Sequence, residues 1–284
     1  MKKLISLTLA LMMILGAIFC FSSCGNDQEL NFGKSYSPLS GQMDVLLQLN
    51  SKSIDVGVMD SIMAGYYMSK DTTYANSLQV VEGLTLSTEQ YGIAARKGSG
   101  LIKKINGALI ELANDGTIDT LAAKYGIASE LCIDKTATVE ELTASEMEDW
   151  NYITSQSKFI VGYTLFAPIA YEENNELIGF DIELAKAVAA KLGLTVEFTL
   201  IEWNSKEALL EAKSIDCIWN GMTITEERLA AMEISIPYLN NAQVAVIRKE
   251  DADKYKTTAD MAEAIVGAEA GSAGESAILP AKAE

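Results

Sequence analysis

Gly221, Thr223 and Arg228 stand within one run of eight residues, GMTITEER. Each of them suits an anion. A glycine lets its backbone N–H approach a ligand closely, a threonine adds N–H and O–H donors, and an arginine one helical turn beyond Thr225 presents a planar fork that grips a carboxylate through two bonds. A second donor set lies in AGSAGE from Ala270, where backbone N–H groups and Ser272 gather at a predicted helix start. The complementary charge comes from Asp60, which closes the strand VGVMD, because ligands gather at the ends of strands in α/β sheets. Glu269 adds a second acid just before the glycine-rich turn. Phe166, Trp203 and Asn220 supply aromatic walls and an amide. Each residue also has a plainer reading: Thr225 caps a helix under a solvated Arg228, Asp60 caps the next helix, and Trp219 is core.

Composition excludes much else. The 284 residues contain no histidine, which removes the commonest general base and the commonest transition-metal ligand, so neither a metal nor a cofactor is expected. A formal net charge of −17 repels nucleic acid. Lys2 and Lys3 precede an apolar stretch from Leu4 to Phe21, followed by Ser22, Ser23 and Cys24, which reads as an export signal over residues 1–23. Its end, FSSC, resembles the lipobox of bacterial lipoproteins and makes Cys24 the expected lipidated residue. The alternative is an uncleaved membrane anchor, since eighteen residues at about 1.5 Å each span roughly 27 Å. Both readings place the remainder outside the membrane. Cys132 and Cys217 form no disulfide framework, although one bridge between them stays open.

Helices and strands alternate in two blocks. Residues 159–284 give the strand FIVGY, a helix over residues 181–192 ended by Gly193, the strand TVEFTL, a helix after Asn204 and the strand IDCIW. Residues 40–125 repeat this grammar, with Leu101, Ile102, Ile105, Ala108, Leu109 and Leu112 forming the apolar stripe of a helix from Ser99. The runs KSIDVGVMD and KSIDCIWNG each follow an amphipathic helix, so the two lobes read as built alike. Residues 127–158 are acidic and weakly patterned, a linker with at most one surface helix. The last residues give one strand, a turn and one helix, which cannot bury an apolar face alone; the first block opens at a helix with no strand before it. The two ends can complete each other.

These motifs carry a resemblance. GFDIELAKAVAAKLG, IDCIWNGMTITEER and PYLNNAQVAVIRKE are similar to the first half of extracellular amino-acid-binding proteins of ABC importers, the bacterial family 3 type. SIDVGVMDSIMAGYY, STEQYGIAARKGS and KINGALIELANDGTIDTLAAKYG resemble that family's second half. The halves stand in reverse order and no segment recurs, so the resemblance implies a circular permutation. It implies an α/β fold of two lobes, each a mainly parallel sheet flanked by helices, of the type II periplasmic-binding-protein kind, with QVAVI and EQYGIAA as the two crossings. The expected divisions are a tether over 24–35, second-lobe parts over 36–90 and 249–284, first-lobe parts over 91–126 and 159–248, and the linker over 127–158.

The resemblance further implies a lipid-anchored monomer that captures an amino acid between its lobes and delivers it to a transporter permease, without turnover. It assigns Gly221, Thr223, Arg228 and Ser272 to the ligand's carboxylate, Asp60 to its ammonium, and Phe166, Trp203 and Asn220 to the cleft. Tyr163 stands where many members read the ligand's side chain with an acid or polar group. That departure favours a neutral amino acid, while Glu269 keeps lysine and arginine open. The family's closing tryptophan is absent, with AAKYG and Tyr125 in its place, which touches packing more than binding. Two rivals share the fold: an exported dehydratase or murein lyase, for which Glu269 is the one candidate acid, and a sensor subunit reporting to a kinase or chemoreceptor.

Overall fold

The computed structural model describes residues 29–70 and 72–280; the expected export signal and Cys24 lie outside them. In chain order the elements are β1 (Ser35–Leu39), α1 (Gln42–Asn50), β2 (Val56–Asp60), α2 (Ser61–Lys70), α3 (Thr72–Ser77), β3 (Leu78–Arg96), α4 (Leu101–Asn114) and α5 (Thr117–Tyr125). Next come α6 (Ala144–Ser155), β4 (Lys158–Tyr163), β5 (Tyr171–Glu173), β6 (Glu176–Ile178), α7 (Phe180–Leu192), β7 (Thr195–Leu200), α8 (Lys206–Glu211) and β8 (Cys217–Thr223). The last are α9 (Glu226–Ala231), β9 (Met232–Ile234), β10 (Leu239–Arg248), β11 (Ile265–Glu269) and α10 (Ala273–Ile278).

The main sheet runs β1-β11-β2-β10-β3-β8-β4-β7, with β9 beside β3. On one flank β1, β11 and β2 are mutually parallel; on the other β8, β4 and β7 are parallel. Between them β10 and β3 pair antiparallel along almost their whole length. The far end of β10 continues against β2 and the far end of β3 against β8 and β9, so these two long strands join the lobes.

Helix periodicity explains the layers. The stripe Leu101, Ile102, Ile105, Ala108, Leu109 and Leu112 of α4 is buried. In α7, Ile182, Ala185, Val188 and Ala189 are buried, and the helix ends where Gly193 turns left-handed at φ 69°. The buried Val266, Gly267 and Ala268 of β11 sit between β1 and β2, so the strand-helix unit near the chain's end finds its core there.

Two expectations change. A strand, β1, does precede the first helix and pairs with β11. Its sequence SYSPL lacks alternation and contains Pro38, which cannot serve a central strand but is tolerated at the edge where β1 lies. The acidic segment 127–158 is docked rather than loose. Thr143 and Glu146 close a capping box on α6, Ile153 is fully buried, and Asp149 receives Arg96 at 3.0 Å and the Ser99 hydroxyl. Cys132 and Cys217 are both free, so the open alternative of a bridge is not formed.

Candidate functional site

The strand ends converge on one cleft. Asp60 closes β2, Glu269 closes β11, Thr164 follows β4, and Asn220, Gly221 and Thr223 end β8; all six line it. Phe166 and Trp203 form aromatic walls, and Arg228 and Ser272 face in from α9 and from the start of α10. Nine of the ten ligand contacts expected from the sequence are therefore brought together across the two lobes.

Gly221 is required for local geometry. Its φ is +60°, and a Cβ there would lie 2.6 Å from Phe166 Cε1 and 3.0 Å from Tyr91 Cε2. Its N–H donates to Asp181 Oδ2 at 2.9 Å, and the Tyr238 hydroxyl donates to the same oxygen at 2.8 Å. Burial pushes the Asp181 carboxyl up to about 7, against the lowering effect of these two donors. The acid thus ties α7, β8 and the entry to β10 together beside the cleft.

The donor side centres on Arg228. Its Nη1 donates to the Thr223 carbonyl at 2.8 Å and its Nη2 to the Gly271 carbonyl of the facing lobe at 3.1 Å, while its guanidinium lies 6.0 Å from the Trp203 ring centre. A guanidinium has five N–H donors, so donors remain for an anion. Thr225 does cap α9 through Arg228 N–H, so the plain and the functional readings of TITEER coexist. The glycine-rich turn is more occupied than the sequence suggests. Gly271 N–H is bonded to Glu275 Oε2 at 2.8 Å and Ser272 N–H to the Glu269 carbonyl at 3.2 Å. The Ser272 hydroxyl accepts Glu275 N–H and keeps its own proton for a ligand.

The acceptor side centres on Asp60, of which only 5% is exposed. Its Oδ1 accepts Tyr91 at 2.7 Å, Gln243 at 3.0 Å and Asn241; its Oδ2 accepts Gln42, whose own Oε1 accepts Asp60 N–H at 3.0 Å. Asn241 and Gln243 also donate to Glu89, Gln243 at 2.8 Å. Burial, and then the neighbouring Glu89 charge, hold the Asp60 carboxyl well above its ordinary range. A nearby cation would reverse that. Two further acceptors on the cleft wall, Asn220 Oδ1 and Gln243 Oε1, are buried without a hydrogen-bond partner.

Tyr163 is the exception. It does not line the cleft but packs with Ala170 and Ile182, its ring edge-on to Phe198 at 6.2 Å. Successive strand residues face opposite ways, so with Thr164 turned to the cleft Tyr163 faces α7. Gln42, Thr164, Leu165, Gln243 and Ala273 line the cleft and were not singled out from the sequence; nor were Glu89 and Asn241 behind Asp60. Asn240 and Asn241 within a strand were the one local signal, since asparagine is depleted there.

Residues 159–270 match the family described as bacterial extracellular solute-binding proteins, family 3. The chain is 31% identical over 132 residues to the arginine-binding extracellular protein ArtP of Bacillus subtilis (46% of this chain, 51% of the relative) and 37% identical over 98 residues to the ABC transporter arginine-binding protein 1 of Escherichia coli (34% and 39%). It is 28% identical over 119 residues to the L-cystine-binding protein TcyJ of E. coli (41% and 45%). These likenesses make part of the chain similar to family 3 solute-binding proteins. The chain spans about half the length, or less, of these curated relatives. Among solved structures, the arginine-bound form of domain 1 from TmArgBP is 34% identical, with 36% of this chain and 88% of that one covered at a TM-score of 0.30. Among the described residues no helix is long and apolar enough to cross a membrane.

Proposed function

We propose that this protein is an extracytoplasmic receptor that closes its two lobes on a single amino acid and presents it to the permease of an ABC importer. The observation that carries the reading is the pairing of opposite chemistries across one small cleft. Arg228, Thr223 and Ser272 offer donors for an α-carboxylate, while Asp60 and the unpartnered oxygens of Asn220 and Gln243 offer acceptors for an α-ammonium. Two long strands joining the lobes supply a hinge about which closure traps the ligand. The relatives named for arginine and for L-cystine support an amino-acid ligand.

The same reading extends to the chain's organisation. The family match begins at residue 159, yet β1 and β2 from the earlier part complete the sheet around β11. This supports a circular permutation in which 159–284 precede about 32–126 in family order and the docked segment 127–158 joins the family's usual ends. Lipidation of Cys24 would hold the receptor at the membrane, since two acyl chains suffice for stable attachment. Thermal unfolding of the purified chain against the twenty amino acids and cystine tests the reading, because a ligand at 100 times its Kd adds about 2.7 kcal/mol. A transition raised by a few related amino acids is expected; one unmoved by all of them would refute it.

A further inference from the structure

We propose that Glu269 reads the ligand's side chain and that the substrate class is amino acids with a cationic side chain, such as lysine, ornithine and arginine. This rests on the cleft being an amino-acid site. Glu269 lies on the cleft wall with 5% of its surface exposed, and its carboxylate makes no hydrogen bond among the described residues. A buried charge without a partner is costly, and a ligand cation removes that cost where a neutral side chain does not.

The protein's own cations do not fill the role. Lys206 Nζ turns to the Gly271 carbonyl at 3.4 Å and sits 4.9 Å from the Trp203 ring centre. Arg228 spends two of its donors on the Thr223 and Gly271 carbonyls. The charged groups around Glu269 are Lys206 of α8 and Arg228 of α9, opposed by Glu202 before α8 and Asp44 of α1. Burial outweighs them, lifting the Glu269 carboxyl to about 8, and it also drops the Lys206 ammonium to about 8. Two mutually satisfied partners would move the opposite way.

Balance across the cleft points in the same direction. A zwitterionic backbone brings one ammonium, which Asp60 takes, so it offers no partner to the Glu269 carboxyl on the cleft wall. A cationic side chain supplies that partner. The orphaned oxygens of Asn220 and Gln243 are acceptors, so the wall calls for a ligand rich in N–H donors. Tyr163, the residue whose position argued for a neutral ligand, is turned away from the cleft.

The test compares near-isosteric pairs on the purified full chain by calorimetry: arginine against citrulline, and lysine against norleucine. A neutral side chain leaves the Glu269 carboxyl without a partner, so the cationic member is expected to bind at least about tenfold tighter at pH 8. Arginine should tighten from pH 6 to pH 8 as Glu269 gives up its proton, while citrulline should not. Glu269→Gln is expected to bring each pair within a few-fold. Neutral members binding as tightly as cationic ones, or a preference surviving in Glu269→Gln, would overturn this assignment and leave the amino-acid receptor standing. No binding by any amino acid would overturn both. Should the variant not fold, the wild-type ratios decide alone.

Discussion

Replacing Gly221 by alanine should damage both the fold and the cleft, and the structure sets the size of both effects. The added methyl would stand 2.6 Å from Phe166 Cε1, so the ring must retreat by about 0.8 Å to reach ordinary contact at 3.4 Å. Phe166 is 3% exposed and edge-on to Tyr91 at 6.4 Å, which leaves it little room. A left-handed alanine costs about 1–2 kcal/mol, and overpacking a filled site costs about 1–3 kcal/mol. The sum, about 2–5 kcal/mol, corresponds to a fall in Tm of about 4–20 °C for a chain of this size. Tyr91 is the second atom group struck, at 3.0 Å, and its hydroxyl donates to Asp60, so the ammonium site shifts along with the aromatic wall. Ligand affinity is therefore expected to fall at least about tenfold beyond the stability effect, a further 1.4 kcal/mol or so. Denaturant unfolding and titration calorimetry on the same preparation separate the two. Trimming the ring with Phe166→Leu should recover part of the loss, as coupled neighbours do. Unchanged Tm together with an unchanged Kd in Gly221→Ala would refute the reasoning.

Asp60→Asn is expected to weaken ligand binding by about 2–5 kcal/mol while leaving Tm level or higher, because burial beside Glu89 already disfavours the charged acid; calorimetry and melting curves check both. Arg228→Ala should weaken binding by a similar amount with the fold intact by circular dichroism, and normal affinity in both variants would sink the site assignment. Tyr66 of α2 faces Tyr171 of β5 across the lobes at 5.9 Å, so Tyr66→Ala should speed ligand release by roughly 2- to 12-fold in stopped-flow, matching about 0.5–1.5 kcal/mol for an aromatic pair. Asp181 carries a pH signature: its carboxyl is raised from 3.8 to about 7, so its contribution to stability is full below about pH 4 and is lost as pH rises through 7. Relative to wild type, Asp181→Asn should gain up to about 4 kcal/mol between pH 4 and pH 8 in unfolding titrations, and a flat difference would contradict the burial argument.

Much of this was legible in sequence because it depended on periodic burial. The stripe of α4, the glycine stop of α7 and the strand endings at Asp60 and Thr223 follow from spacing and local chemistry. What was missed depends on pairing over long distances. Pro38 and a lack of alternation hid β1, whose partner β11 lies more than two hundred residues away. Tyr163 was misplaced by one residue's worth of strand alternation, since nothing local says which face of β4 meets the cleft. Glu89 and Asn241 meet Asp60 only because β3 and β10 cross beside it, an arrangement with no signature at any single position.

The same crossing strands explain how a site this small can govern the position of two lobes. Tyr91 and Glu89 lie on β3, and Asn241 and Gln243 lie on β10, so the polar network around Asp60 is built on the hinge rather than beside it. Pairing between these strands slips between Gln243 and Val244 and again between Val244 and Val246. Such slips add local twist, and twist is the coordinate along which two lobes on a shared pair of strands rotate. An ammonium held by Asp60 favours one arrangement of Gln243 and Asn241, and with it one twist. Across the cleft, the Gly271 carbonyl takes hydrogen bonds from both Arg228 and Lys206, so the second lobe is seated by the residue that also receives the carboxylate in the proposed function. A ligand holding Arg228 and Asp60 at once therefore biases hinge and seat together, which is the differential interaction that closure requires.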